Sequence, residues 1–359
     1  MKIKIYLQDW FFNAGLIGFY RIFKDKSKLI INGNYIELES DSLLNFADDY
    51  FEYFFNQYNV AEKTLQRIEN NLKILKQNLE KEPITKEEKS KVNEIIKTQK
   101  KYFKDTIKIQ LNKIKKFDEE TCENILQAMN SIDEIKEKEN TYKLEEIKNI
   151  IKINLENQSI NQKLTMNLFK SILSNSYYGQ PSFLNVVKSA LSYEEQKQIM
   201  YKDYISNIIE TGFLKAITEG KYTVKQIENS LKEKDQNLLT KEIIKAYNNI
   251  QKQIEKNKTI EEIKEYIENK VFSNCSMCEN DKVITNQYSE SNFIPLAVSS
   301  DNMANFFWNQ NAKLPICDIC KLILFCIPAG ITSIIKTVKE NGEYKEKQIY
   351  SFVNYDTNV

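Results

Sequence analysis

The chain has 359 residues, with 51 Lys and Arg against 50 Asp and Glu, a net charge of +1, and no histidine. That length supports two or three domains with packed cores, and the balanced charge excludes a globally basic nucleic-acid binder, so any such surface must be local. The missing histidine excludes Ser-His-Asp and Cys-His nucleophiles and every His-liganded metal site.

Residues 2–7, Lys-Ile-Lys-Ile-Tyr-Leu, alternate polar and apolar as a half-buried strand does. Asp9 is placed to cap a helix over Trp10–Phe23, apolar nearly all round and so buried. Leu29-Ile30-Ile31 runs into Asn32-Gly33, a strong hairpin signal, and on to Tyr35-Ile36-Glu37-Leu38. Ser40 or Ser42 starts a helix with apolar residues at 43, 44, 47, 50, 51, 54 and 58. Its aromatic stripe is read as core. Residues 1–60 therefore form a small α+β unit.

Residues 61–270 read as helical, with Pro83 and Thr85 separating two charged helices and Ser192-x-x-Glu195 forming a capping box. Few of the chain's eight glycines and five prolines interrupt the pattern. Residues 271–327 form a cysteine module, and 328–359 a second hairpin, with Ile334–Lys339 and Ile349–Val353 flanking Asn341-Gly342. The expected fold class is α+β, predominantly helical. The apolar runs Trp10–Phe23 and Leu322–Ile335 are too short or too interrupted to span a bilayer, and no secretory signal is present, so a soluble, cytoplasmic protein without membrane contact is expected. The chain stops shortly after a well-formed strand without a polar tail, which suggests that the native protein is longer.

The strongest chemical signal is a pair of identical motifs, Cys275-x-x-Cys278 and Cys317-x-x-Cys320. Two such knuckles supply the four thiolates of a structural zinc site, with an iron–sulfur cluster as the lesser alternative. A closed shell of four thiolates leaves no position for water or substrate, so the metal would build structure. Cys122 and Cys326 read as ordinary buried small residues. The 38 residues between the knuckles exceed the ~15–20 of a compact ribbon and must loop out. Loss of a ligand is expected to unfold 271–327 and leave the first sixty residues folded.

Two local features are candidates for nucleic-acid contact. Between Lys89 and Lys116 lie ten lysines against Glu94 and Asp105, and Lys97, Lys101, Lys104 and Lys108 share a helical face that could neutralise phosphates. Residues 118–146 carry ten acids against three lysines, so a helical hairpin pairing acid with base competes with that reading. The segment around Tyr177-Tyr178-Gly179-Gln180-Pro181 offers Tyr178 and Gln180 to a base or backbone, against the plainer reading of a helix connector. No phosphate-cradling glycine loop occurs, and the carboxylates sit in lysine-rich helical stretches as solvated faces, so no enzyme is expected.

The second knuckle and its flanks, Leu314-Pro315-Ile316-Cys317-Asp318-Ile319-Cys320-Lys321-Leu322-Ile323-Leu324, resemble the CXXC–CXXC family of CRISPR-associated proteins. Phe293-Ile294-Pro295-Leu296 and Asn305-Phe306-Phe307-Trp308 look like the segment that family carries between its knuckles. The opening Trp10-Phe11-Phe12-Asn13-Ala14-Gly15-Leu16-Ile17-Gly18 is similar to that of the large subunit of type I-B Cascade complexes. The resemblance covers the two ends of the chain, under a third of it. It implies a non-catalytic subunit of a crRNA-guided surveillance complex in antiviral defence. Its implied partners are crRNA, target double-stranded DNA, other Cascade subunits and a separate nuclease-helicase, and its implied task is to assist recognition of the protospacer-adjacent motif. In such complexes guide pairing reads the sequence, and the protein needs few specific contacts. The family usually continues with a helical region beyond this chain's end. The alternatives are a free-standing zinc-knuckle nucleic-acid-binding protein using the lysine face, and a helical scaffold stapled by zinc.

Overall fold

A computed structural model describes residues 1–136, 140–176, 181–184, 191–278, 282–289, 313–340 and 343–352. Strand β1 (Lys2–Tyr6) alternates exposed lysine or tyrosine with buried Ile3 and Ile5, as the period-2 pattern requires. It pairs antiparallel with β3 (Tyr35–Glu39), which pairs on its other side with β2 (Ile30–Asn32), giving the order β1-β3-β2. The β2–β3 turn is Gly33-Asn34 rather than Asn32-Gly33: Asn32 stays in the ladder opposite Tyr35, and its amide donates to the Tyr35 hydroxyl at 3.0 Å.

Helix α1 (Trp10–Ile22) begins where expected, because the Asp9 carboxylate accepts from the N–H groups of Phe11 at 2.8 Å and Phe12 at 3.1 Å. Asn13 is buried in this helix and satisfied by Gln8 through both its amide groups. The next helix starts later than the sequence suggests. A 3-10 turn (Ser40–Leu43) precedes α2 (Phe46–Tyr58), and Ser40 accepts from the Met1 amino group at 3.0 Å instead of capping a helix.

The capping chemistry along the middle of the chain follows the sequence closely. Helices α3 (Val60–Leu79), α4 (Lys86–Ile114), α5 (Glu119–Asn130), α6 (Lys143–Glu156) and α7 (Gln158–Ser176) are followed by α8 (Tyr193–Met200) and α9 (Ser206–Thr218), which flank a π turn. Then come α10 (Val224–Glu233), α11 (Lys241–Glu255) and α12 (Ile260–Tyr266). Capping boxes open α4 at Thr85/Glu88, α8 at Ser192/Glu195, α10 at Thr223/Gln226 and α12 at Thr259/Glu262.

Strand β4 (Thr285–Ser289) pairs with β5 (Lys313–Cys317), which leads into α13 (Asp318–Phe325) and the short α14 (Ile327–Gly330). The expected closing hairpin is β6 (Thr332–Glu340) on β7 (Glu343–Ser351). Its turn residues Asn341 and Gly342 lie outside the described residues.

Packing divides the chain into two compact units, residues 1–53 with 170–359, and residues 54–169. These units cut across the four segments read from composition (1–60, 61–270, 271–327 and 328–359), because composition marks local character whereas packing joins distant stretches. The 54–169 unit is all helical, cored by Ile68, Leu75, Phe103, Ile107, Ile125 and Ile151. In it, Asn161 and Thr165 on α7 accept from the backbone of Ala61 and Val60, satisfying free donors of α3.

In the larger unit, α1 crosses α13 and α14 at backbone contact. A Cβ on Gly15 would lie 2.5 Å from the Ile323 carbonyl oxygen, and methyls on Gly18 or Gly330 would overlap Cys326 and Ala14. Arg21 donates to the Ala329 carbonyl at 2.7 Å and the Tyr50 hydroxyl to that of Phe325 at 2.9 Å. Leu322, Ile323, Leu324, Phe325 and Ile327 are buried there, worth together about 10 kcal/mol of transfer free energy at ~2 kcal/mol each. No described helix is long and apolar enough to cross a membrane.

Candidate metal centre

The first knuckle lies in a loop closed at its base by a β-bridge: Ser273 N–H donates to the Val283 carbonyl at 2.9 Å, and Val283 N–H returns to Ser273 at 3.4 Å. The second is a strand-to-helix junction rather than a free turn. Cys317 ends β5 and is the N-cap of α13, and Cys320 sits on that helix's first turn. Thiolates there face the positive end of the helix dipole. Ser276 N–H donates to the Pro315 carbonyl at 2.9 Å, tying one knuckle to the strand that carries the other.

The four sulfurs all lie within 4.8 Å of one another. Cys275 Sγ is 4.0 Å from Cys320 Sγ, and Cys278 Sγ is 3.7 Å from Cys317 Sγ. Disulfide sulfurs would be ~2.05 Å apart. Bonds of ~2.3 Å to one tetrahedral ion put sulfurs ~3.8 Å from each other, so the donor set could hold a metal ion and is compatible with zinc. A four-iron cluster binds each thiolate on a separate iron and spreads the sulfurs further than a single ion does.

Cys275, Cys317 and Cys320 are buried, with Cys278 at the surface edge of the group. The Cys275 sulfur accepts from the backbone N–H of Cys317 at 3.2 Å and of Met277 at 3.4 Å, the outer bonds expected of a thiolate ligand. Among the thiols alone, bonds from Cys278, Cys317 and Cys320 hold the Cys275 pKa well below its ordinary value. The bond to Cys275 heads the causes that push Cys317 and Cys320 up. A bound cation would favour the thiolate form of all four.

Beneath the second knuckle lies a polar group that the sequence reading missed. Asp318 and Lys321 are both buried, and Lys321 Nζ is 3.3 Å from Asp318 Oδ1. Asn207 on α9 donates to Asp318 Oδ2 at 3.1 Å and accepts from the Thr240 hydroxyl at 2.7 Å. The available signal was the i, i+3 pairing of an acid and a base inside an otherwise apolar stretch. Cys122 and Cys326 are buried, as expected of small core residues, and burial pushes the Cys326 thiol up.

The lysine face of α4 is only partly engaged. Lys104 forms an ion pair with Asp133, and neighbouring Lys100 donates to the Ile135 carbonyl at 2.6 Å. Lys97, Lys101 and Lys108 are exposed. Tyr178 and Gln180 lie outside the described residues, as do Phe293–Leu296 and Asn305–Trp308.

Residues 268–332 match the family model of a CRISPR-associated protein, Cas_CXXC_CXXC. That span contains all four cysteines and runs through α13 and α14. No curated protein and no solved structure matches the chain.

Proposed function

We propose that this chain is the non-catalytic large subunit of a crRNA-guided type I-B CRISPR surveillance complex, acting in antiviral defence. In this reading it assists recognition of the protospacer-adjacent motif and target binding beside crRNA, the other Cascade subunits and a nuclease-helicase. The carrying observation is the match of residues 268–332 to the CRISPR-associated family. Support also comes from the crossing of α1, whose sequence resembles the opening of that subunit, on the helices that follow the second knuckle. The metal is zinc, bound by Cys275, Cys278, Cys317 and Cys320 in a closed structural shell that fixes β5 and α13.

A second reading, a free-standing zinc-knuckle nucleic-acid-binding protein, is favoured by the exposure of Lys97, Lys101 and Lys108. Reconstitution with crRNA and partner subunits separates the two. The first reading expects weak duplex binding by the chain alone and strong, motif-dependent binding by the assembly, lost when this chain is omitted. Full target binding without it would remove the first reading. Tight, salt-steep binding by the isolated chain, weakened on reversing the three lysines, would establish the second.

A further inference from the structure

We infer that β1 accepts a fourth strand: an extended acidic peptide segment of a partner protein, lying along its outer edge against the cysteine cluster. In the β1–β3 ladder, Ser40 N–H donates to Met1 O and Leu7 N–H to Asn34 O. With Lys2 opposite Glu39 and Tyr6 opposite Tyr35, the odd-numbered residues bond to β3. The main-chain N–H and C=O groups of Lys2, Lys4 and Tyr6 therefore point away from the sheet. No described strand pairs with that side. Five residues of free edge run about 16 Å at ~3.3 Å each.

A cleft of about 400 Å³ follows that edge. It is lined by Met1–Tyr6, and no residue of β2 or β3 lines it, so it lies beside the sheet and not over its face. The opposite wall includes Val283, Ile284 and Ile319, together with Cys278, Cys317 and Cys320. An apolar trough bounded by the unpaired edge of a strand is the geometry of strand addition, in which main-chain bonds give affinity and alternate side-chain positions give specificity.

Charge selects the occupant. Lys2 and Lys4 share one partner, Glu37, at 3.3 and 3.5 Å, and Lys215 adds a third cation to the lining. The one acid among the described lining residues, Asp318, is already held by Lys321 and Asn207. Lysines on an edge discourage pairing with neutral or basic strands, including other copies of this chain, while admitting acidic ones. An added strand would place alternate side chains beside Lys2 and Lys4 on one face and beside buried Ile3 and Ile5 on the other. Acidic residues alternating with apolar ones fit both faces. This inference stands apart from the proposed function.

The test uses the full zinc-loaded chain with three labelled probes: a decapeptide of Glu-Val repeats, its Lys-Val counterpart and a ten-nucleotide single-stranded DNA. The acidic peptide is expected to bind alone and to slow amide exchange of Lys4 and Tyr6 at least tenfold, leaving Ile3 and Ile5, already bonded to β3, unchanged. Lys4→Pro, tolerated at an outward-facing edge position, should weaken binding at least tenfold, whereas Lys4→Ala, which keeps the N–H, should cost threefold or less. Failure of the acidic peptide to bind or to protect Lys4 and Tyr6 overturns the inference. Preference for the DNA probe reassigns the cleft to nucleic acid and overturns it equally. If Lys4→Pro does not fold, the exchange pattern of the unsubstituted chain decides alone.

Discussion

Gly18 on α1 lies against the carbonyl oxygen of Cys326, closer than any side chain would allow. This contact joins the amino-terminal helix to the segment that follows the second knuckle, and Gly330 reciprocates it against Ala14. The amino-terminal helix and the end of the family-matched span 268–332 are thus packed together.

Gly18→Ala should force α1 and α14 apart. Main-chain atoms on both sides cannot yield as a flexible side chain would, so a loss of about 3 kcal/mol is expected, the upper part of the overpacking range. Denaturant unfolding of the variant against the parent measures it, and an unchanged midpoint would contradict the close crossing.

Removal of the metal should reach beyond the knuckles. Structural zinc contributes about 10–16 kcal/mol in finger peptides, and α13, which carries Cys320, packs on α1 through Gly15 and Ile323. Chelation or Cys317→Ser is therefore expected to open 271–327 to protease and to speed amide exchange in α1 as well. The composition-based expectation leaves residues 1–60 untouched. Exchange at Phe12 through Phe19 distinguishes the two outcomes.

Lys321→Met should destabilise the protein by about 3–5 kcal/mol, because it removes the cation 3.3 Å from the buried Asp318 carboxylate. The double variant Asp318→Asn with Lys321→Met should recover most of that loss. A double-mutant cycle by thermal or chemical unfolding measures the coupling, and simple additivity of the two changes would count against the pair.

Alkaline pH should weaken the fold through Tyr204. Burial pushes its phenol up to about 12, against bonds from Ser182 that act in the opposite direction. The folded chain then holds a proton that the unfolded chain loses near pH ~10. Its contribution is whole below that pH and is lost as pH rises towards the folded value, at about 1.4 kcal/mol per pH unit. Tyr204→Phe should flatten the fall in stability between pH ~10 and ~12 by about one proton, read from unfolding curves across that window.

Elements with strong local signals were legible in the sequence. Asp9, Thr85, Ser192 and Glu195 mark helix starts through side-chain bonds spanning two or three residues, and the alternation in Lys2–Tyr6 fixes its buried face. The four cysteines were legible because Cys-x-x-Cys is the spacing at which two thiols can share one ion, and the four sulfurs lie within 4.8 Å of one another. What escaped depended on distant partners. Ser40 bonds the amino terminus rather than capping a helix, and Asn32 stays in a ladder with Tyr35. The Asp318–Lys321 pair acquires Asn207 from α9, more than a hundred residues away in sequence, and no local pattern foretells that contact.

The glycine crossing also sets a schedule for synthesis. Helix α1 leaves the ribosome roughly 300 residues before Gly330, a wait of about 15–60 s at ~5–20 residues per second. Meanwhile the whole of 54–169, a compact unit in itself, has been made. Until Ile323 and Cys326 arrive, Gly15 and Gly18 lack the main-chain partners that close their face of α1, although Phe19 already has Phe46 of α2 against it.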